Sequence, residues 1–128
     1  MHNGSCLCGA VKYQIDAPIR AATHCHCSQC RKAHGAAFGT YTTVLKADFR
    51  FTQGADQVRT FYSSPGVART FCQACGATLQ WMELDSEFTG VALGTLDTAL
   101  GEIAQKHIYA DSKADWYAIR EGLPQENG

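Results

Sequence analysis

The stretch Cys25-His26-Cys27-Ser28-Gln29-Cys30 places three cysteines within six residues. Two pairs flank it, Cys6 and Cys8 near the start and Cys72 and Cys75 well downstream, so that all seven cysteines fall in closely spaced clusters. Such spacing is typical of zinc sites, in which four ligands close a structural site and three leave a position for water or a substrate. Seven cysteines divide as four plus three, which predicts two metal sites with different roles.

Length and composition indicate one small domain with no strong overall charge. With 128 residues, 45% of them hydrophobic, the chain is long enough for a single domain, residues 1–128, with its own core. A net charge of −1 provides no overall field that would hold nucleic acid or an anionic membrane. No apolar run approaches the roughly 18 residues of a membrane helix, and no signal peptide precedes the first cysteines. We therefore expect a cytoplasmic protein whose clustered cysteines bind metal rather than form disulfides.

Basic residues are concentrated around the central cysteines. Residues 17–47 contain no Asp or Glu, and four Lys and Arg residues give this segment a charge of +4, which leaves −5 for the rest of the chain. Such surroundings attract the carboxylates of an anionic thiol such as glutathione. Arg20 and Lys46 are nevertheless more typical of ordinary solvated surface. The four basic residues are Arg20, Arg31, Lys32 and Lys46.

The hydrophobic pattern predicts a chain made mostly of β-strands. Val11, Tyr13 and Ile15 alternate with polar residues, as in a half-buried strand. Later segments are short, rich in Thr, Phe, Tyr and Val, and separated by turn residues. Strands are predicted over residues 19–24, 37–44, 49–52, 58–62, 68–71, 78–82 and 88–96, and residues 107–109 are expected to be extended.

Helical structure is predicted only as short turns. Residues 29–34, closed by Gly35, and residues 113–119 have the composition of one or two helical turns. Both ends of the chain, residues 1–3 and 125–128, are expected to be frayed. The aromatic side chains of the predicted strands alternate along them, which favours a place in the core over a stacking platform for bases. These aromatic residues are Phe38, Tyr41, Phe49, Phe51, Phe61 and Tyr62.

Two of the cysteine clusters echo each other. Cys8-Gly9-Ala10 and Cys75-Gly76-Ala77 each end a cysteine pair with Gly-Ala and lead into a predicted strand. Glycine after the last ligand tolerates positive φ, which lets the backbone turn tightly around a metal. We therefore predict two similar metal-binding knuckles.

Spacing alone permits two groupings of the ligands. A zinc-ribbon grouping joins the two C-x2-C pairs, Cys27 and Cys30 with Cys72 and Cys75, and leaves three cysteines over. The other grouping joins the two matching knuckles and keeps the central triple whole. We favour the second, in which a structural zinc supplies folding free energy. Its ligands are Cys6, Cys8, Cys72 and Cys75, and a second zinc lies on Cys25, Cys27 and Cys30.

The triple needs one more ligand, for which there are two alternatives. A nearby histidine closes the site in the first, and His34, four residues after Cys30, is the best candidate. His26 is the weakest, since the side chain between two C-x-C ligands points away from them, and His2 and His107 are expected at the surface or in packing. In the second alternative a small thiol occupies the position. It is deprotonated there and attacks a carbonyl, which forms a hemithioacetal.

The motifs at residues 4–13 (GSCLCGAVKY), 25–32 (CHCSQCRK) and 71–76 (FCQACG) resemble the glutathione-dependent formaldehyde-activating enzyme family, which includes centromere-protein-V-like proteins. Residues 107–109 and 113–116 are similar to its C-terminal signature. The resemblance implies a mostly β, Mss4-like (β-tent) fold with a structural zinc on the outer four cysteines and a second zinc on the triple. It also implies S-hydroxymethylglutathione formation from glutathione and formaldehyde, a carbon–sulfur lyase activity in the reverse sense.

The leading hypothesis is therefore a zinc-dependent carbon–sulfur lyase or synthase that acts on a thiol–carbonyl adduct. Cys25, Cys27 and Cys30 hold the catalytic and labile Zn²⁺, the other Zn²⁺ is structural, and the substrate is glutathione or another small thiol. The alternative is a non-catalytic zinc-binding module for a protein or nucleic-acid partner, and a metal store is a third reading. Mild acidity and the lack of a long Lys/Arg run argue against nucleic acid.

Overall fold

Most of the chain forms β-strands, which are joined by short turns. The computed structural model describes all 128 residues. The ten strands are β1 His2–Ser5, β2 Lys12–Ile15, β3 Ala21–Cys25, β4 Gly39–Leu45, β5 Phe49–Gln53, β6 Val58–Ser64, β7 Val67–Cys72, β8 Thr78–Glu83, β9 Phe88–Ala92 and β10 Ala104–Ile108. One α-helix, α1 Ser28–His34, and four short 3-10 turns complete the structure. The predicted mostly β class with short helical turns is confirmed.

The strands form two sheets. The small sheet has the order β1-β2-β5, and the large sheet has the order β10-β3-β4-β9-β8-β7-β6. All neighbours are antiparallel except β10, which runs parallel to β3 and joins the C-terminal part of the chain to the strand that ends at Cys25. No helix of the structure is long and apolar enough to span a membrane.

The small sheet packs its inner face against the large one. Tyr13 and Ile15 of β2 are fully buried with Val44 of β4 and Val91 of β9 in one hydrophobic cluster. Burying these side chains is the main favourable term for joining the sheets. The predicted alternation in β2 is therefore confirmed, because its apolar residues all face the core.

Both chain ends are ordered, so the prediction of frayed ends is wrong. His2 and Asn3 belong to β1, which pairs with β2, and the carbonyl oxygen of Asn3 accepts a hydrogen bond from Asp97 at 2.8 Å. The backbone N–H of Glu126 donates to His107 at 2.9 Å. Unpaired strand edges leave backbone groups to be satisfied, and the two ends of the chain satisfy them.

Three further expectations differ from the structure. Residues 113–119 form no helix, and the 3-10 turn Ala110–Ser112 precedes them, because so short a segment needs packing that exposed Trp116 does not provide. The strand predicted over 88–96 ends at Ala92. Phe61 and Tyr62 are 62% and 63% exposed rather than in the core, because β6 is an edge strand.

Replacing Gly4 by alanine is expected to lower the free energy of unfolding by about 1–3 kcal/mol, the usual cost of overpacking a filled core. A Cβ at this position of β1 would overlap the ring of Tyr13. That ring is buried, and its hydroxyl is hydrogen-bonded to Thr95 at 2.7 Å, so it has little room to move. Urea unfolding followed by circular dichroism measures the change.

Gly94→Ala is the matched control, because no atom lies within 4 Å of a Cβ built there. Its free energy of unfolding should stay within about 0.5 kcal/mol of the wild-type value. Equal stability of Gly4→Ala and wild-type protein would show that β1 does not pack against Tyr13 as described.

Candidate metal centres

The outer four cysteines meet in one cluster. The sulfur atoms of Cys6, Cys8, Cys72 and Cys75 all lie within 4.8 Å of one another, and those of Cys6 and Cys8 are 3.6 Å apart. Tetrahedral coordination with zinc–sulfur bonds of about 2.3 Å places sulfur atoms about 3.8 Å apart. The four thiols therefore have the spacing of a tetrahedral metal site.

Two similar turns bring these cysteines together. Gly9 and Gly76, each directly after the last cysteine of its pair, have φ of +81° and +79°. Each turn closes on itself, since the N–H of Gly9 donates to Cys6 at 3.1 Å and that of Gly76 donates to Cys72 at 2.7 Å. The two predicted turns with positive φ at glycine are confirmed, and metal binding by them stays a prediction. One lies between β1 and β2 of the small sheet and the other between β7 and β8 of the large sheet.

Backbone N–H groups surround this cluster and favour thiolates. The N–H of Val11 donates to the sulfur of Cys6 at 3.3 Å. Hydrogen bonds from the backbone N–H groups of Ala77 and Cys8 lower the pKa of Cys75 to about 6. Such outer hydrogen bonds orient metal ligands and stabilise their charge. Cys6 and Cys72 are buried and pack against Val11 and Leu79, whereas Cys75 is half-buried and Cys8 is exposed.

The central triple lies where β3 meets α1. Cys25 ends β3, Cys27 caps the helix by accepting a hydrogen bond from the N–H of Cys30 at 3.3 Å, and Cys30 lies in the first helical turn. Their three sulfur atoms are also within 4.8 Å of one another. The favoured grouping, four plus three, is therefore the one that the structure brings together, and the zinc-ribbon grouping is not. Metal ligation by these residues stays a prediction.

No histidine joins the triple. His34, the favoured fourth ligand, instead pairs its Nε2 with the hydroxyl of Tyr41 at 2.6 Å, because the helix turns its ring toward β4. His24 is hydrogen-bonded to Thr40 at 2.8 Å. The ring of His26 points away from the sulfur atoms, as predicted, and its Nε2 meets His107 at 2.7 Å. The structure therefore brings three candidate protein ligands together at this site and no fourth.

A cavity of about 580 Å³ lies against the triple. All three cysteines line it, and Tyr41, Trp81 and Tyr109 provide aromatic walls. Tyr109 has φ of +53°, an uncommon conformation for a bulky residue that is found mostly at functional sites. None of the basic residues of segment 17–47, which were expected to attract an anionic thiol, lines the cavity. Those residues are Arg20, Arg31, Lys32 and Lys46.

One basic side chain does reach the cavity, and sequence reasoning missed it. Arg69 on β7 is only 7% exposed and donates through Nε to Ser63 at 3.1 Å and through Nη2 to the sulfur of Cys30 at 3.7 Å. It forms no salt bridge, and its buried Nη1 has no hydrogen-bond partner. The available signal was a single arginine within the otherwise uncharged strand Val67–Cys72.

A buried cation of this kind fits a negatively charged metal–thiolate group. Three thiolates and a divalent cation carry a net charge of −1, and a buried arginine without an anionic neighbour is strongly unfavourable. The pKa of Cys30 is lowered to about 6. The larger cause is its hydrogen bond with Cys25, and Arg69 adds to it, while burial acts in the opposite direction. Thiolates are soft ligands that select zinc over calcium or magnesium. Both clusters can therefore hold a metal ion, and zinc suits their donors.

A chain of hydrogen bonds supports His26, the residue between Cys25 and Cys27. Glu121 contacts Nε2 of His107 at 2.6 Å, and Nδ1 of His107 contacts Nε2 of His26 at 2.7 Å. His26 and His107 are both fully buried, which agrees with the packing role expected for His107. Glu121 was not singled out from the sequence. It ties the C-terminal segment to the loop that carries Cys25 and Cys27.

Comparison with known proteins agrees with this geometry. A family model described as glutathione-dependent formaldehyde-activating enzyme matches residues 1–112. The crystal structure of a protein from Rhodobacter sphaeroides is similar, with a TM-score of 0.62 and 26% sequence identity. The similarity covers 80% of this chain and 98% of that chain.

We expect two zinc ions per chain in the purified protein, and serine substitutions should remove them separately. Cys72→Ser should lose one zinc and unfold, because the folding free energy supplied by a structural zinc is comparable to a typical domain stability of about 5–15 kcal/mol. Cys27→Ser should lose the other zinc and keep its fold. Elemental analysis and circular dichroism measure the two effects.

The two variants serve as controls for each other, since each removes one thiol from one cluster. A Cys72→Ser or Cys6→Ser protein that stays folded with its full zinc content would contradict the structural role of the four-cysteine cluster. Cys27→Ser with two tightly held zinc ions would remove the triple as a metal site.

Proposed function

Because the chain belongs to the glutathione-dependent formaldehyde-activating enzyme family, we propose that it makes and breaks the carbon–sulfur bond between a small thiol and a carbonyl carbon at the three-cysteine centre. The observation that carries the proposal is the cavity, which lies directly against three cysteines that no fourth protein ligand joins. A purely structural site has four ligands and needs no such access.

The proposed reaction adds a thiol to an aldehyde. A bond forms between sulfur and the carbonyl carbon, the π electrons of the carbonyl move to its oxygen, and the proton lost by the thiol ends on that oxygen. With glutathione and formaldehyde the product is S-hydroxymethylglutathione, and the reverse reaction breaks the carbon–sulfur bond. Zinc held by Cys25, Cys27 and Cys30 supplies a positive charge that lowers the pKa of a thiol and polarises a carbonyl.

The cavity is suited to hold a small thiol. Its volume of about 580 Å³ lies in the usual range of small-molecule sites, roughly 300–1,000 Å³. Trp81 and Tyr109 offer apolar surface for the body of the substrate, and Arg69 is the cation beside the sulfur atoms. Arg69 and Trp81 come from the neighbouring strands β7 and β8, which hold them in a fixed arrangement, and Tyr109 directly follows β10.

Tyr41 is held in one position on the cavity wall. Burial raises the pKa of Tyr41 and lowers the pKa of His34, so that the phenol keeps its proton and the imidazole is neutral. The hydroxyl of Tyr41 therefore donates to Nε2 of His34 at 2.6 Å. This pair fixes the ring that packs against Cys25 and Cys30, which supports their geometry.

The open side of the triple favours an enzyme over a non-catalytic zinc-binding module. We propose one structural zinc and one labile catalytic zinc, and two inert metals would favour the module instead. We also propose that residues 1–128 act as one domain, since Pro124 and Glu126 exchange backbone hydrogen bonds with His107. A cytoplasmic location, where thiols stay reduced, remains a prediction.

NMR exchange spectroscopy on the zinc-loaded protein with glutathione and isotope-labelled formaldehyde tests the activity. We expect faster exchange between free formaldehyde and the adduct than in the uncatalysed mixture. Cys27→Ser should reduce this acceleration to the uncatalysed rate, because it removes one thiolate of the three-cysteine centre.

Arg59→Gln is the control, because Arg59 is exposed and bonds only backbone carbonyls away from the cavity. Its exchange rate should match that of the wild type. Full acceleration in a folded Cys27→Ser protein would exclude the triple from the reaction. No acceleration by the wild type with glutathione, 2-mercaptoethanol or 3-mercaptopropionate would contradict the proposed reaction itself.

A further inference from the structure

Arg69 is the buried side chain whose charge the fold leaves without a partner. It has no salt bridge, and its Nη1 is buried without a hydrogen bond. The residues opposite it on the neighbouring strands, Phe61 and Trp81, are aromatic and carry no negative charge. Burial of an arginine in such surroundings is strongly unfavourable unless an anion lies nearby.

The sulfur of Cys30 contacts Arg69 and can carry negative charge. Nη2 of Arg69 lies 3.7 Å from this sulfur, and Nε is held by the hydroxyl of Ser63 at 3.1 Å, so that the guanidinium is fixed beside the triple. No acidic side chain lines the cavity. The charge of Arg69 is therefore available to the thiolates and to whatever binds next to them.

The charge balance at the centre gives Arg69 a role. A divalent cation with three thiolates has a net charge of −1. A fourth thiolate from a substrate would make the net charge −2 in a partly buried site. With Arg69 included, the centre is neutral before the substrate binds and has a charge of −1 afterwards. Anion binding at a partly buried site is far more favourable when such repulsion is removed.

We propose that Arg69 is a positioning residue that offsets the negative charge of the three-cysteine centre and thereby admits a thiol in its anionic form. This inference rests on the proposed function, because it assumes that a thiol binds in the cavity. It defines the ligand class as thiolates, whose recognition depends on the charge of the sulfur rather than on a carboxylate elsewhere in the molecule.

Two measurements on the zinc-loaded full-length chain test the inference. Competition with a chelator gives the affinity for the labile zinc, and isothermal titration with 2-mercaptoethanol, which has no charge besides its thiolate, gives the affinity for a thiol. Arg69→Gln should weaken both by about tenfold to a hundredfold, the size expected for losing one nearby charge at intermediate dielectric. Arg69→Lys keeps the charge but loses the planar fork that bonds both Ser63 and Cys30, so it should lose clearly less of both affinities than Arg69→Gln.

Arg59→Gln is the matched control, since it removes an exposed arginine from β6 and should change neither affinity. Circular dichroism establishes that each variant is folded. Arg69→Met, which has similar length without charge and suits a buried strand, replaces Arg69→Gln if the glutamine variant fails to fold. It should show the same losses.

The outcomes separate the inference from the proposed function. Wild-type affinities in Arg69→Gln or Arg69→Met overturn the inference, and so does a loss in Arg69→Lys as large as that in Arg69→Gln, because the charge would then not matter. A parallel titration with 3-mercaptopropionate also tests the inference: a loss of affinity for this thiol but not for 2-mercaptoethanol overturns it, since Arg69 would then be binding the carboxylate. If the wild type binds no thiol, the proposed function fails, and the zinc affinities alone then decide the role of Arg69.

Discussion

The meeting of two cysteine knuckles is the constraint on which the structure depends. Cys8 and Cys72 are 64 positions apart in the chain, yet their sulfur atoms lie 4.0 Å apart. Closing so long a loop has an entropic cost that four metal–thiolate bonds can offset. The contact joins the small sheet to the large one. It thereby fixes the position of β2, whose Tyr13 and Ile15 form part of the core between the two sheets.

The two clusters use the same ligand type and differ in their surroundings. The four-cysteine cluster is held by two backbone turns and packs on one side against apolar residues, whereas the triple lies beside a cavity and a buried arginine. Four ligands suit a metal that holds the chain together, and three ligands with an open position suit one that meets a substrate. The triple is also supported by distant parts of the chain. Arg69 on β7 contacts Cys30, and Glu121 in the C-terminal segment supports His26 through His107.

Local sequence patterns predicted the strands well and the chain ends and edges poorly. Alternation identified β2 because one face of that strand is fully buried, and the glycines after Cys8 and Cys75 correctly indicated two turns with positive φ. The same alternation placed Phe61 in the core, but β6 is the last strand of its sheet and nothing covers it. Periodicity reports which residues share a face and carries no information on whether that face is covered.

The sequence by itself determined the fold class and the family and favoured the grouping of the cysteines as four plus three, because ligand spacing and glycine positions are local properties of the chain. Only the tertiary structure decided what surrounds the triple. It turned His34 toward Tyr41, kept the basic residues of segment 17–47 out of the cavity and brought Arg69 to Cys30, 39 positions away in the chain. The partner of a buried charge is set by which strands become neighbours, and strand pairing is a property of the whole fold.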